Sequence, residues 1–273
     1  MKRTIMSYMV ATILSIAAIG GVAMQPIPSM AQTQGNQSVP SMAQTQGNQP
    51  VVSTPTCGEV VQGIVNLTSN LNCNGDGLIV GGDNTIVHLN GYSIKGPGQE
   101  SSKVGLMIPN NDNVVVEGPG DISNFQAGIL VTGASHVKMS SLILEKNQIG
   151  MFMTGSDNAQ VEQNIIKDNN LGIASHSSKS GIYTSNLLNG NVLAGITFVN
   201  TKDSTVSQNN IDGSQNGIFA DAQSSGNAIS MNNVLHNVID LNNANGLPTN
   251  INSNSARDNN CQVSNPSGLC IGR

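Results

Sequence analysis

The chain has 273 residues, 16 of them acidic and 11 basic, with 10% charged, 3% aromatic and no tryptophan. A net charge of −5 with no cationic cluster excludes the phosphate-tracking surface that nucleic acid requires, so no nucleic-acid partner is expected.

At the N-terminus, Lys2 and Arg3 precede an apolar run from Ile5 to Met24, and small residues follow at Ser29 and Ala31. This order reads as a secretory signal peptide over residues 1–31. An uncleaved anchor is the alternative, because the run approaches the ~20 residues that cross a bilayer. Ser7 and Tyr8 interrupt the run and no cationic flank follows, which favours cleavage and leaves no membrane span in the exported chain. That chain carries 9 basic against 16 acidic residues, a net charge of −7. A mildly acidic, polar surface keeps an exported protein soluble.

Residues 28–51 hold a tandem duplication, PSMAQTQGNQSV then PSMAQTQGNQPV. Its Gln, Asn, Gly, Ser and Pro bury too little apolar surface to offset ordering entropy, so residues 32–53 read as a disordered linker and the folded domain as residues 54–273. The four cysteines sit as two close pairs at the ends of that domain, Cys57 with Cys73 and Cys261 with Cys270. An even count in an exported chain suggests disulfides, although four cysteines allow three connectivities. Proximity favours the two local pairs. Zinc is the alternative, but neither spacing is short enough and no histidine lies beside them.

Glycine followed by an aliphatic residue recurs at Gly77, Gly105, Gly128, Gly150, Gly172, Gly195 and Gly217, with Val238-Ile239 in the last slot. After a first interval of 28 the steps are 22 or 23, and a period this regular marks stacked units sharing one core. Residues 150–171 show the unit as GMFM, TGSDNA, QVEQ, NIIK and DNNL. Three strands within 22 positions leave no room for a helix, so each strand must pair with its counterpart in the next coil. The expected fold is all-β, a parallel β-helix of about eight coils forming a rod of roughly 35 to 40 Å. Asn164, Asn186, Asn210 and Asn233 recur before the third strand, where asparagine tolerates left-handed backbone and its amide can bond the equivalent amide of the next coil.

These residues resemble the right-handed parallel β-helix repeat proteins of the pectin-lyase-like group, including NosD-type repeats of periplasmic copper-associated proteins that mature nitrous-oxide reductase. The entry segment CGEVVQGIVNLTSNLNCNGDGLIVGGDNTIVHLNGYSIKGPG and the closing NNCQVSNPSGLC are similar to those of many secreted β-helix proteins, and the resemblance spans residues 57–271. It implies the fold. For activity it implies less, because the group includes lyases, hydrolases, epimerases and proteins without a reaction.

In enzymes of this group the groove runs along the outward face of the first strand. Counted from each glycine, positions +1 and +3 should face inward and +2 and +4 outward. The outward +2 column reads Met107, Leu130, Phe152, Ala174, Thr197 and Phe219, and the +4 column Pro109, Thr132, Thr154, His176, Val199 and Asp221. Abstracting a proton from a uronate needs a base, a charge-neutralising cation or metal, and carboxylates to hold it. This face offers one histidine and one aspartate, two coils apart. After export only Arg257 and Arg273 remain to clamp an acidic sugar, both near the C-terminus. The polygalacturonase pattern is also missing: His136 and His176 stand in SHV and SHS, and no Asp-Asp pair exists.

Asp112, Asp157, Lys179 and Lys202 share one turn column, and Glu145, Lys167 and Asp212 another, which reads as solvated charge ladders and not a calcium site. His88, His136, His176 and His236 fall in four different columns, so no metal or other cofactor is expected; Met151 and Met153 fill the core.

The expected function is a secreted or cell-surface module, periplasmic where the organism has an outer membrane, not catalytic, that binds a polysaccharide or a surface protein or associates with itself. Its candidate binding residues are Met107, Leu130, Phe152, Thr154, His176, Thr197, Phe219 and Asp221. A carbohydrate-active enzyme with catalytic residues in the turns is the second reading, and a structural surface protein the third. With no tryptophan and only Tyr92 and Tyr183 after export, no sugar-stacking platform is evident, which favours a protein partner or self-association.

Overall fold

A computed structural model describes residues 55–244, 247 and 253–270. The expectations for residues 1–31 and 32–53 lie outside the described residues. Within them every regular element is a strand, and all strand pairing is parallel, in three sheets of ten, nine and eight strands. Each coil contributes one strand to each sheet, as in coil Ile149–Thr154, Gln160–Glu162 and Ile165–Lys167. The fold is a parallel β-helix. The first sheet has two more strands than the glycine signature marks, Val60–Val61 and Ser264–Asn265, because these terminal strands lack that signature.

The register agrees with the alternation read from the sequence. Ile129 aligns with Leu106 and Met151, and Val131 with Ile108 and Met153. All of these side chains are fully buried in one interior cluster that runs the length of the rod. Ser175 is the polar member of the inward set, and its partners explain it. The hydroxyl of buried Tyr183 bonds Ser175, and burial pushes that phenol up to about 12. Thr201 Oγ1 donates to the Ser175 carbonyl oxygen at 2.8 Å and lies 3.2 Å from its hydroxyl.

The recurrent glycine is required for close approach and not for an unusual φ. A Cβ on Gly128, Gly150 or Gly172 would sit 2.7, 2.6 or 2.5 Å from the carbonyl oxygen of the next glycine in the column. The last slot belongs to Asp240-Leu241 and not to Val238-Ile239: Leu241 aligns with Ile218, while Val238 is exposed. Insertions fall in turns, as at Val192, which is 60% exposed where a 22-residue coil becomes one of 23.

Two interior asparagine ladders hold the corners. In the first, Asn164, Asn186, Asn209 and Asn232 each donate from Nδ2 to the Oδ1 of the next member, ending on Asn259, at 2.9 to 3.0 Å. The expectation is corrected by one residue here: Asn209 and Asn232 are the buried members. Asn210 and Asn233 form an exposed ladder beside them, with Asn233 Nδ2 donating to Asn210 Oδ1 at 2.8 Å. The left-handed residues are those preceding the buried asparagines, Gln163, Ser185, Gln208 and Met231. The second ladder runs Asn147, Asn169, Asn191, Ser214 and Asn237. It ends on buried Asp240, whose Oδ1 accepts from the backbone and side chain of Asn237 and whose Oδ2 accepts from the backbone of Gln262 and Val263.

Both expected disulfides are present, Cys57–Cys73 and Cys261–Cys270, with Cα separations of 5.5 and 5.3 Å. They pin opposite ends of the rod.

Candidate binding face

The outward columns of the first sheet come into register as expected: Leu130 aligns with Met107 and Phe152, Ala174 with Phe152 and Thr197, and Phe219 with Thr197. Their exposure is low. Leu130, Phe152, Ala174, Thr197 and Phe219 are at most 1% exposed, and only Met107 is partly open. A second outward column, Val104, Ala127, Ile149, Leu171 and Ala194, is buried with them, and together with Leu130, Phe152 and Ala174 it forms an apolar cluster separate from the interior core. The sequence left two readings of the stripe almost even, an open binding face and a face covered by the chain's own segment, and the burial of these side chains matches the second. Outward direction is a property of the strand, whereas exposure depends on what lies over the sheet.

Sequence reasoning missed the second column because it counted only forward from each glycine. The preceding residue also points outward, since the glycine is skipped in the pairing register: Ala127 pairs with Ile149 and Ile129 with Met151.

At the edge of the stripe, Thr154 Oγ1 lies 3.3 Å from His176 Nδ1. Partial burial holds the imidazole of His176 below its ordinary value, opposed by the charge of Asp221. Asp221 Oδ1 accepts from the backbone of Asn200 at 2.9 Å and from Ser224 Oγ at 2.7 Å, so its carboxylate is engaged in the turn. Thr154, His176 and Asp221 are all half-buried. They share one side of the stripe, but Val199 separates His176 from the level of Asp221.

Charges elsewhere pair along the stack. Lys179 meets Asp157 at 3.3 Å, Lys167 meets Glu145 at 2.9 Å and Lys138 meets Glu162 at 2.6 Å. Hydrogen bonding to Lys167 holds Glu145 below its ordinary value, while burial raises Asp121 on the same sheet. The other histidines are dispersed as expected: His88 meets Glu117 at 2.7 Å, His236 meets Asp212 at 3.2 Å, and His136 occupies an exposed left-handed turn position.

Three parallel sheets around a continuous core, with an outward stripe along the first, define the class of parallel β-helix repeat proteins. Within it the chain belongs to the family described as periplasmic copper-binding protein (NosD), which it matches over residues 75–269. Among solved structures it is similar to the periplasmic alginate epimerase AlgG, at 12% identity and a TM-score of 0.53, covering 75% of this chain and 66% of that one. It is also similar to the enzymatically active domain of tailspike protein 2 of bacteriophage CBA120, at 14% identity and a TM-score of 0.51, covering 74% of this chain and 38% of that one. These likenesses concern the fold. No protein of curated function matches the sequence.

The family is a periplasmic one, and two disulfides fit an oxidising compartment. No helix among the described residues is long and apolar enough to cross a membrane. Copper is in the family's description, and the donor set of this chain bears on it. Among the described residues no three His, Cys, Asp or Glu side chains converge, and all four cysteines are in disulfides. Met151 and Met153 point into the apolar core. The described residues do not fit a copper ion.

Proposed function

We propose that the chain is an exported, non-catalytic β-helix module, secreted or at the cell surface, that binds a partner along the outer face of its first sheet. On this reading residues 1–31 are removed, residues 32–53 link, and residues 54–273 bind. One observation carries it. The column Met107, Leu130, Phe152, Ala174, Thr197 and Phe219 contains no ionisable group across six coils. An uncharged apolar stripe on a solenoid suits adhesion to a protein or to a second copy better than acid–base chemistry. Polysaccharide is the other partner considered, through Thr154, His176 and Asp221 at the stripe's edge.

The test presents the exported chain to a panel of anionic and neutral polysaccharides and measures its sedimentation. Self-association, or polysaccharide capture without product, supports a binding module, and Phe152→Ser with Phe219→Ser should abolish it. Depolymerised or epimerised product overturns it. The carbohydrate-active reading rests on the Thr154–His176 contact and predicts that His176→Ala abolishes such product.

A further inference from the structure

Asparagine followed by glycine carries a reaction of its own. The glycine nitrogen attacks the asparagine Cγ and closes a five-membered imide, because glycine has no side chain to hinder the approach. The new N–Cγ bond replaces the Cγ–Nδ2 bond, and Nδ2 leaves as ammonia with the proton of the glycine N–H. Water then opens one of the two imide C–N bonds, leaving aspartate or isoaspartate, with no oxidant or reductant required. The attack needs a glycine N–H free to give up its proton, so a hydrogen bond from that N–H to a carbonyl oxygen restrains it.

Four such pairs lie among the described residues, and three of them are held. Gly91 N–H donates to the Pro119 carbonyl at 2.6 Å, and the Asn90 amide donates to Asn66 Oδ1 and to the Leu67 carbonyl. Gly190 N–H donates to the Asp212 carbonyl at 3.0 Å, which restrains the pair with Asn189. Asn216, before Gly217, is buried; its Oδ1 accepts from Asn242 Nδ2 at 2.8 Å and its Nδ2 donates to the Leu193 carbonyl. Asn74-Gly75 is different. The pair forms the bend between strands Leu71–Asn72 and Leu78–Val80, and Asn74 is exposed. Neither the Asn74 side chain nor the Gly75 N–H has a hydrogen-bond partner among the described residues. Space is open as well, since a Cβ on Gly75 would meet nothing within 4 Å.

We propose that Asn74 is a self-modification site, at which the folded chain converts asparagine to aspartate and isoaspartate ahead of its other described Asn-Gly pairs. Both sides of the bend are anchored: Cys73 by its disulfide to Cys57 and by its N–H to the Lys95 carbonyl, and Gly77 by its N–H to the Val104 carbonyl. The exposed bend takes up the extra backbone carbon of isoaspartate while these anchors keep the first coil in place. Each event adds a negative charge two residues from Asp76, whose Oδ1 accepts from the Val104 backbone and whose Oδ2 lies 4.0 Å from Lys103 Nζ. The site thus records the age of the chain at one pole of the rod.

The test holds the folded full chain at mildly alkaline pH and digests samples in acid. Mass spectrometry measures aspartate plus isoaspartate at positions 74, 90, 189 and 216, and enzymatic methyl transfer from S-adenosylmethionine reports isoaspartate. Asn245-Gly246 lies outside the described residues and is scored separately. Conversion at Asn74 should outpace that at Asn90, Asn189 and Asn216 by at least ~5-fold, the effect of one hydrogen bond that need not be broken. In the reduced chain unfolded in denaturant the four rates should converge. A folded-state rate at Asn90, Asn189 or Asn216 equal to that at Asn74, or a lead for Asn74 that persists undiminished in the unfolded chain, overturns the inference. Gly75→Ala fits the open space and hinders the attack, so it should slow conversion at Asn74 alone. An unchanged rate at Asn74 in that variant overturns the inference too.

Discussion

Ser214 is the weak member of the second ladder. Asn147, Asn169, Asn191 and Asn237 fill the equivalent positions, but the Ser214 hydroxyl is buried and has no partner among the described residues. An unmet buried polar group costs ~1 to 3 kcal/mol, so Ser214→Asn, which restores an acceptor facing Asn191, should raise thermal stability by about 1 kcal/mol. A melting temperature unchanged or lowered would show that the ladder does not extend through this coil. His176 gives a pH signature. Its folded value lies below 6.5 because of burial, so the unfolded chain takes up its proton first as pH falls. Stability from this group is therefore present above about pH 6.5 and declines as pH drops through the folded value. His176→Gln should flatten that part of the melting-temperature profile, and an identical profile would remove His176 as its source. From the sequence, Ile196→Asp should unfold the protein and Thr197→Asp should be harmless. Both side chains are in fact fully buried, so both substitutions should destabilise by several kcal/mol, read as matched melts. Position in the repeat reveals which way a side chain points. It does not reveal what lies over the sheet, which is why the burial of Thr197 was not legible.

At the scale of the strand and turn, periodicity carried most of the fold. Gly128, Gly150 and Gly172 mark one column so firmly that the inward set Leu106, Ile129, Met151 and Ile196 could be named from spacing alone. The corners were less legible. Doublets such as Asn209-Asn210 and Asn232-Asn233 present two candidates for one buried site, and spacing cannot choose between them. Hydrogen bonding does: the Asn209 amide donates to the Tyr183 carbonyl and to Asn232 within the interior, while the Asn210 side chain accepts from Asn233 at the surface. Asn209→Ala should lower stability by ~2 kcal/mol or more, since it leaves buried groups in adjoining coils unmet, and Asn210→Ala by less than ~0.5 kcal/mol. Equal losses would contradict the assignment of the ladder. The candidate site was legible as columns, and His176 and Asp221 emerged two coils apart as counted. Their engagement with Thr154, Asn200 and Ser224 belongs to turn geometry that no periodic pattern encodes.

For the whole molecule, burial of the stripe sets what its aromatics do in the full chain. Phe152 and Phe219 are at most 1% exposed, so changing both to serine should destabilise the full chain by a few kcal/mol in a denaturant melt. A melt unchanged by the pair would show that the stripe carries no packing. The rod also has a sense along its axis. Every amide in the first buried ladder donates toward the C-terminal end, from Asn164 through Asn186, Asn209 and Asn232 to Asn259. The second ladder delivers its last donors to Asp240, a carboxylate that can only accept and that also takes the backbone of Gln262 and Val263. At the C-terminal end both runs stop: Asn259 turns its Nδ2 back onto the Ile229 carbonyl, and Asp240 takes the last amide of the second ladder, so the polarity of the stack is closed off inside the molecule and is not presented to a second copy.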